Sequence, residues 1–365
     1  MPSRQQDSRF RPDPNSRRER AIPPIENRKP KTENPPVDPK AAITAALARR
    51  KPLLNDENTN AIRIINGPAD QLDGLVIEKF GDVLIAQLHE GRLALPESTL
   101  EDLGRELMAA TGATATYRKT FPKGRSTPQT ELDAANRDPR PWLTAPAAGQ
   151  VQIAEEFPIR EAGLHYLIRP FDGFSVGLFL EQRGNRARVR AHAAGKRVLN
   201  TFAYTCAFGA AAAAGGAELV VNVDVSKRYL EWGKRNLAAN ALPLEKQMFI
   251  CSDVFDYYRR AARQNRRFDL VILDPPTFSR CRTGKSAFVL RSELDPLVAG
   301  ALQLLDPGGL LLLATNQRDI TLPRLEKSIH VAAGPRRVHI LEYPALPVDF
   351  AGDPDFAKSI WARID

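Results

Sequence analysis

Residues 196–274 constrain the fold of this 365-residue chain more than any other segment. Four apolar runs rich in β-branched residues alternate there with segments of helical spacing, and each run ends in a polar residue or a tight turn. Strands that alternate with helices form a parallel sheet through right-handed crossovers. Ligands bind such sheets at the carboxyl ends of the strands. The pattern therefore predicts an α/β sheet with a ligand site at that edge.

The composition is that of a globular protein with a basic, proline-rich amino terminus. Hydrophobic residues make up 43% of the chain and charged residues 26%, which is ordinary for a folded domain. Residues 1–51 hold 13 Lys and Arg against 6 Asp and Glu, and therefore +7 of the net charge of +9. We predict that residues 1–39 form a disordered tail. Charge leaves open whether this tail attracts nucleic acid or is a solvated extension.

Other protein classes are excluded by what the sequence lacks. No apolar run approaches the roughly 20 residues of a membrane span, and the amino terminus lacks the apolar core of a signal peptide. We therefore expect a cytoplasmic protein without a membrane segment. Cys206, Cys251 and Cys281 show no CxxC spacing, so neither a disulfide framework nor a metal site is predicted.

The rest of the chain is predicted to form two domains. Residues 40–158 combine a short helix that begins at Pro39 and is closed by Pro52, a three-stranded meander, a second helix and a further strand. We interpret them as a small α+β accessory domain. Residues 159–365 continue the alternation of strands and helices, with a turn at Pro307-Gly308-Gly309. The last two strands are predicted to pair antiparallel at one edge of the sheet.

The first two strand ends are typical of a nucleoside cofactor site. The turn in NTFAYTCAFG can offer backbone N–H groups to a cofactor carboxylate, but it contains only Gly209 where several glycines are usual. The same letters also fit an alanine-rich core helix after a buried strand. Asp224 ends the second strand, where a carboxylate can accept both ribose hydroxyls. Enzymes that bind NAD use an acid at the same place.

The next two strand ends add an adenine contact and a rigid turn. Asp253 is placed to accept from an adenine amino group, and it is also a good helix N-cap; the two roles are compatible. The fourth strand runs into Asp274-Pro275-Pro276, where each proline fixes its own φ and restricts the residue before it. The turn resembles the one that holds the target ring beside the methyl group in methyltransferases acting on planar nitrogens, and Phe278 would then be available to stack on that ring. The alternative is a rigid loop with a buried phenylalanine.

These motifs resemble the large-subunit ribosomal RNA methyltransferase family. The resemblance lies in INGPADQLDGLVIEKFGD, VGLFLEQRGNR, NTFAYTCAFG, DVSKRYLEWGKRNLAAN, LDPPTFSR, ATNQRD and LPVDF, in this order. It implies a class I, Rossmann-like sheet of seven strands, with S-adenosylmethionine (SAM) as cofactor and ribosomal RNA as partner. The residues then expected to contact SAM are Gln182, Arg183, Asn200, Tyr204, Thr205, Asp224, Ser226, Asp253, Val254 and Asp274. Arg183 and Arg186 could equally form structural salt bridges.

Within that family the chain resembles the guanine-N7 branch. Members that methylate cytosine C5 carry a nucleophilic cysteine after the fifth strand, whereas this chain has Asn316 there. Guanine N7 has a lone pair and no proton, so transfer needs in-line placement more than a general base. The predicted catalytic residues are Asp274, Pro275, Phe278 and Asn316. Cys281 is not expected to act as a nucleophile, because its arginine neighbours fit a phosphate-contacting loop better.

Basic loops are predicted to contact RNA. YRKTFPKGR interleaves aromatic and cationic residues, as surfaces for single-stranded RNA do, and RCRTGK borders the expected site. The cations concerned are Arg118, Lys119, Lys123, Arg125, Arg280, Arg282 and Lys285. The accessory domain is therefore expected to bind RNA. The basic run YYRRAARQNRR has helical spacing and fits a solvated helix face.

Two other functions remain open from the sequence. A methyltransferase for a small molecule or a protein would leave the basic loops unexplained. A catalytically silent RNA-binding protein of the same fold is favoured by Cys206 and Ala207, which replace the usual glycines of the first turn.

Overall fold

Two β-sheets organise the computed structural model, which describes residues 38–122, 134–146, 153–279 and 288–365. The predicted tail of residues 1–39 lies almost wholly outside this part of the chain. The amino-terminal elements are α1 (Pro39–Leu54), β1 (Ala61–Asn66), β2 (Leu75–Phe80), β3 (Val83–His89), α2 (Glu97–Thr111), β4 (Ala115–Phe121), β5 (Leu143–Thr144), β6 (Phe157–Glu161) and β7 (Leu164–Ile168).

The later elements alternate as the sequence predicts. They are α3 (Arg183–His192), β8 (Arg197–Thr201), α4 (Ala207–Ala214), β9 (Leu219–Asp224), α5 (Lys227–Ala238), β10 (Gln247–Cys251), α6 (Val254–Arg263), β11 (Phe268–Leu273), β12 (Phe278–Ser279), β13 (Phe288–Val289), α7 (Leu290–Leu304), β14 (Leu305–Thr315), α8 (Leu322–Ala333), β15 (Val338–Glu342) and β16 (Lys358–Ile364).

The smaller sheet has the order β1-β2-β3-β4-β5. Strands β1 to β3 form the predicted antiparallel meander, and α2 crosses over to β4, which pairs parallel to β3. Helix α1 begins at Pro39 as predicted, but Pro52 lies inside it and the helix continues to Leu54. Proline removes its own N–H donor and crowds the carbonyl four residues earlier, but it leaves the N–H groups after it intact. The N–H of Asn55 still donates to the carbonyl of Lys51, 3.1 Å away, so the last turn stays closed.

The larger sheet has the order β10-β9-β8-β11-β14-β16-β15. All neighbours pair parallel except β16, which runs antiparallel to both β14 and β15. This is the predicted seven-stranded Rossmann-like sheet with an antiparallel pair at one edge. The Pro307-Gly308-Gly309 segment lies within the first part of β14, not in a separate turn. The pairing of β14 with β11 shifts register there, between Phe268 and Leu270.

One hydrophobic core joins the two sheets. Phe80 of the smaller sheet packs in the same buried cluster as Tyr166 of the β6–β7 hairpin and Val198, Leu312 and Trp361 of the larger sheet. Residues 38–365 accordingly form one compact unit, and the boundary at residue 158 stays a prediction. In the described part of the chain no helix combines the length and the apolar character needed to cross a bilayer.

Candidate active site

A cavity of about 620 Å³ opens at the carboxyl ends of β8, β9, β11 and β14, the edge where the sequence predicts a ligand. Its size suits a cofactor-sized molecule. Ten of the predicted site residues line it: Gln182, Tyr204, Thr205, Asp224, Ser226, Asp253, Val254, Asp274, Pro275 and Asn316. The topology thus brings together residues that are up to 134 positions apart in the sequence.

The turn after β8 is built from left-handed residues that are not glycines. Phe202, Tyr204 and Cys206 have φ values of 52°, 48° and 56°. An L-residue pays roughly 1–2 kcal/mol for this conformation, and three such residues within five concentrate strain at the cavity. The alternation directs the N–H of Tyr204 to the Asp224 carboxylate, at 2.9 Å. The strained backbone therefore serves the cofactor-binding edge.

The turn accommodates Cys206, where a glycine is usual, because Gly233 of α5 packs against the cysteine side chain. The side chain of Cys206 is 0% exposed. A Cβ atom added to Gly233 of α5 would lie 2.4 Å from the Cys206 sulfur, so the missing side chain of Gly233 is the space that the thiol fills. Burial raises the pKa of the Cys206 thiol well above its usual value, which makes it an inert packing group.

Asp224 is held by two backbone donors. The N–H of Tyr204 donates to Oδ2 at 2.9 Å and the N–H of Ser226 to Oδ1 at 2.8 Å. Burial raises the pKa of Asp224, and these two hydrogen bonds oppose the rise. Each oxygen keeps acceptor capacity. The carboxylate is therefore oriented to accept a pair of hydroxyl groups in the cavity.

We expect Asp224→Asn to weaken SAM binding about 10- to 100-fold, because one oxygen becomes an NH2 group that faces a backbone donor and no longer accepts from a hydroxyl. Isothermal titration with SAM measures the change. Asp295→Asn, which alters a carboxylate of α7 paired with Arg324, is the matched control and should bind SAM like the unaltered protein. Equal affinity in both variants would contradict the ribose role.

Asp253 combines the two roles that the sequence left open. Its Oδ1 accepts from the N–H groups of Phe255 at 3.0 Å and Asp256 at 3.1 Å, so it caps α6. It also lines the cavity beside Val254. Capping fixes the carboxylate in place, and a fixed acceptor is what selective binding of an adenine amino group needs.

Asp274 lies half-buried in the wall of the cavity. Burial, and next the nearby acid Glu181, raise the pKa of its carboxyl to about 7, against the attraction of Arg186. The Nε2 of Gln182 donates to Oδ1 at 3.3 Å. Burial likewise raises the pKa of Glu181. Two acids with raised pKa values in one cavity favour a bound cation.

Asn316 faces the Asp-Pro-Pro turn. The hydroxyl of Thr277 donates to Oδ1 of Asn316 at 3.3 Å. The NH2 group of Asn316 therefore points away from Thr277 and can donate to a group in the cavity. Pro275 and Pro276 line the same wall. The backbone of Phe278 pairs with Val289 in the β12–β13 ladder, but its side chain lies outside the described part of the structure, so the stacking role stays a prediction.

The cavity has the location and the acidic lining expected of a site for a nucleoside cofactor. Comparison of the sequence with known families identifies the family of the chain. A sequence model of S-adenosylmethionine-dependent methyltransferases matches residues 142–361. The chain belongs to this family. The predicted fold class and the prediction of SAM as cofactor are thereby confirmed. Asp224 and Asp253 would hold the ribose and adenine of SAM. Glu181 and Asp274 would offset the positive charges of its sulfonium and ammonium groups.

Two known proteins that are similar to this methyltransferase are named as ribosomal RNA methyltransferases. The chain is 37% identical over 174 residues to ribosomal RNA large subunit methyltransferase K of Neisseria meningitidis serogroup B, covering 48% of this chain and 49% of that protein. It is 31% identical over 268 residues to ribosomal RNA large subunit methyltransferase I of Yersinia pseudotuberculosis, covering 71% and 62%. The chain thus spans less than two thirds of the length of either relative.

A solved structure agrees with this membership. A candidate methyltransferase complexed with S-adenosylhomocysteine (SAH) superposes on the chain with a TM-score of 0.76 and 26% sequence identity. The match covers 91% of this chain and 83% of that chain.

Two predicted cofactor contacts of the methyltransferase need correction. Arg183 does not line the cavity; its guanidinium bonds to Asp349 at 3.0 and 3.2 Å and to the carbonyl of Ala61 at 2.7 Å. Asn200 is buried, and its Nδ2 donates to Asn222 at 2.9 Å. The structural salt bridges that the sequence left as an alternative are therefore present, since Arg186 also binds the carboxylate of Glu161.

Part of the predicted RNA surface is also corrected. Lys119 is 1% exposed, and its ammonium donates to the carbonyl of Asn136 inside the smaller sheet; it cannot contact RNA there. Arg118 is partly exposed and pairs with Glu97. The solvated helix face is borne out, because Arg259 and Arg260 of α6 are exposed. The remaining predicted RNA contacts and Cys281 fall outside the described residues: Lys123, Arg125, Arg280, Arg282 and Lys285.

Apart from Tyr204, the sequence missed the aromatic lining of the methyltransferase cavity. The rings of Phe202 and Phe288 lie 5.3 Å apart, and those of Tyr204 and Tyr229 lie 4.6 Å apart. Phe179, another lining residue, is 41% exposed. Its position in the run VGLFLEQR, three residues before the predicted Gln182, was a signal for it in the sequence.

Proposed function

We propose that the chain is a SAM-dependent methyltransferase that modifies a base of large-subunit ribosomal RNA, with guanine N7 as the favoured atom. The observation that carries the proposal is the Asp274-Pro275-Pro276 turn, which lines the same cavity as the cofactor-binding acids and Asn316. The names of the two similar ribosomal RNA methyltransferases support the substrate class.

The described cysteines disfavour attack on a pyrimidine carbon. Methylation at C5 requires a thiolate that first adds to the ring. Cys206 is buried with a raised pKa, and Cys251 is exposed at the end of β10. Neither lines the cavity in the part of the chain that the structure describes. A nitrogen with its own lone pair needs no such nucleophile.

The polar groups near the turn complement guanine. An ionised Asp274 can accept from the N–H groups at N1 and N2, and the amide NH2 of Asn316 can donate to O6. Transfer of a methyl group to N7 moves the positive charge from the sulfonium to the base. A carboxylate beside the base stabilises that charge as it forms. Asp274 thus faces the charge on the base as well as the charge on the sulfonium, and its hydrogen bonds to N1 and N2 strengthen as the base becomes cationic.

We expect the rate of transfer to rise with pH and to level off above about pH 8. The pKa of Asp274 is raised to about 7, so the required carboxylate is lost on acidification, and the rate should fall about tenfold per pH unit well below 7. Single-turnover assays at SAM concentrations well below saturation, from pH 5.5 to 9, measure the profile, because the rate then reports the pKa of the free protein. A rate that stays constant across pH 7 would contradict a role for ionised Asp274.

Incubation of the purified protein with methyl-labelled SAM and unmodified ribosomal RNA tests the function directly. Nuclease digestion and mass spectrometry should find label in 7-methylguanine of large-subunit RNA. Label at another base would reject N7 but keep the RNA substrate class. Label only in small molecules or protein would favour a methyltransferase for such a substrate. Absence of SAM binding together with RNA binding would favour a catalytically silent RNA-binding protein.

A further inference from the structure

A chain of hydrogen bonds, buried up to its last link, runs from the carboxy-terminal strand to Asp274. Trp361 of β16 donates from Nε1 to Oδ1 of Asn185 at 3.1 Å. Asn185 donates from Nδ2 to Oε1 of Gln182 at 2.7 Å, and Gln182 donates from Nε2 to Oδ1 of Asp274 at 3.3 Å. Trp361, Asn185 and Gln182 are only 2%, 5% and 4% exposed, so water does not compete for the two bonds between them, whereas the bond to Asp274 is partly buried at the cavity wall.

The direction of every bond in this chain is set by its first member. An indole N–H can only donate, so Asn185 must present its oxygen to Trp361 and its NH2 group to Gln182. Gln182 must then present its oxygen to Asn185 and its NH2 group to Asp274. Ser359 of β16 accepts the second N–H of Asn185 at 3.1 Å, which holds the same orientation. The chain therefore ends in a donor that matches an ionised carboxylate.

The fold supplies these four residues from three places. Gln182 and Asn185 are three positions apart at the start of α3, which puts their side chains on one face. Trp361 reaches them because β16 lies antiparallel beside β14, with Trp361 opposite Leu312. Asp274 follows β11 directly. The antiparallel strand at the sheet edge thus contributes to the site although it does not line the cavity.

We propose that Asn185 and Trp361 are positioning residues, which fix the amide of Gln182 so that its N–H group points at the carboxylate of Asp274. The other charged groups that act on Asp274 are Glu181, which repels the carboxylate, and Arg186, which attracts it. The hydrogen bond from Gln182 favours the ionised carboxylate of Asp274, as Arg186 does, and so opposes the rise in its pKa that burial causes. The consequence for methyl transfer rests on the function proposed above, whereas the effect on the Asp274 carboxyl does not.

Three substitutions test the hydrogen-bond chain link by link. Gln182→Met removes the donor to Asp274, Asn185→Leu frees the Gln182 amide to turn, and Trp361→Phe removes the donor at the far end. Carbon-13 NMR of proteins labelled at the aspartate carboxyl measures the titration of Asp274, whose signal is assigned by its absence in Asp274→Asn. The control is Asn136→Leu, which removes a buried asparagine bonded to Thr120 in the smaller sheet.

We expect Gln182→Met and Asn185→Leu to weaken the acidity of Asp274 about tenfold, which is one pKa unit, and Trp361→Phe to shift it less in the same direction. Asn136→Leu should lower thermal stability without this shift. Folded Gln182→Met and Asn185→Leu proteins whose Asp274 titrates as in the unaltered protein would overturn the proposal. If the variants show the shifted titration of Asp274 but the unaltered protein methylates no RNA, the hydrogen-bond chain is supported and the proposed function is rejected.

Discussion

Asp274→Asn is expected to reduce methyl transfer at least about 100-fold, the usual cost of removing one group that stabilises charge in the transition state. The substitution keeps the size of the side chain and an oxygen that can accept from Gln182. It removes the negative charge beside the base and replaces one acceptor with an NH2 group that faces the N–H groups of guanine. The loss should appear in the single-turnover rate at saturating SAM above about pH 8 and should shrink towards pH 5.5, where the unaltered protein also loses its carboxylate.

The same substitution should stabilise the folded protein at alkaline pH. A carboxyl whose pKa is raised from 3.8 to about 7 holds its proton more tightly when folded, so the ionised group opposes folding above pH 7 and has no such effect below about pH 4. The asparagine avoids this cost, which amounts to a few kcal/mol. We expect a melting temperature about 5 °C higher at pH 8, with the difference closing towards pH 5.

Calorimetry of both proteins at pH 5 and pH 8 measures this effect. Asp295→Asn is a control of opposite sign, because hydrogen bonds from Arg324 and Ser328 lower the pKa of Asp295. That carboxylate stabilises the fold above its unfolded pKa, so its removal should lower the melting temperature at pH 8. An Asp274→Asn protein that is inactive and equally destabilised at both pH values would show general damage instead of a lost charge.

The sequence predicted the sheet and most of the cavity because both depend on local patterns. The alternation of apolar runs and helices predicts parallel strands joined by right-handed crossovers, which needs only one general rule of handedness. The acids at the ends of these strands then all lie at the same edge of the sheet. Asp224, Asp253 and Asp274 were therefore found without any knowledge of distant contacts. The remaining boundaries, such as the end of α1 beyond Pro52, depend on hydrogen bonds that a proline does not remove.

The predictions that failed depend on partners far away in the sequence. Arg183 bonds to Asp349, 166 positions later, and nothing near Arg183 indicates this. Side chains of a strand alternate between its two faces, so Lys119 is buried while Arg118 next to it is exposed. A pattern of cations and aromatic residues does not reveal which face is which. Asn200 is likewise buried against Asn222 of the neighbouring strand.

The glycine-poor turn shows how such a distant partner changes an interpretation. Cys206 and Ala207 suggested a weakened cofactor site, and the left-handed φ of Cys206 is indeed the kind of position where glycine is favoured. The compensation comes from Gly233 on α5, which leaves room for the thiol. The turn is thus preserved by a pair of residues, a small one on the helix and a larger one on the turn.

Gly233→Ala is therefore expected to be strongly destabilising, and Cys206→Gly should rescue it. The added methyl group would lie 2.4 Å from the sulfur and 2.7 Å from the Cβ of Cys206. Overpacking of this kind costs about 1–3 kcal/mol. It should also displace the turn that carries the N–H of Tyr204, and so weaken SAM binding. Removing the Cys206 side chain opens the space again and relieves the left-handed strain, so the double variant should recover both properties.

Chemical denaturation and SAM titration of the two single variants and the double variant form a double-mutant cycle. We expect a coupling free energy of at least about 1 kcal/mol, in the range found for residues in direct contact. Gly300→Ala provides a matched clash, since its Cβ would lie 2.4 Å from the ring of Tyr258 on α6. Cys206→Gly should not rescue that variant. Additive effects of Gly233→Ala and Cys206→Gly would mean that the turn keeps its left-handed form for a reason other than this pair.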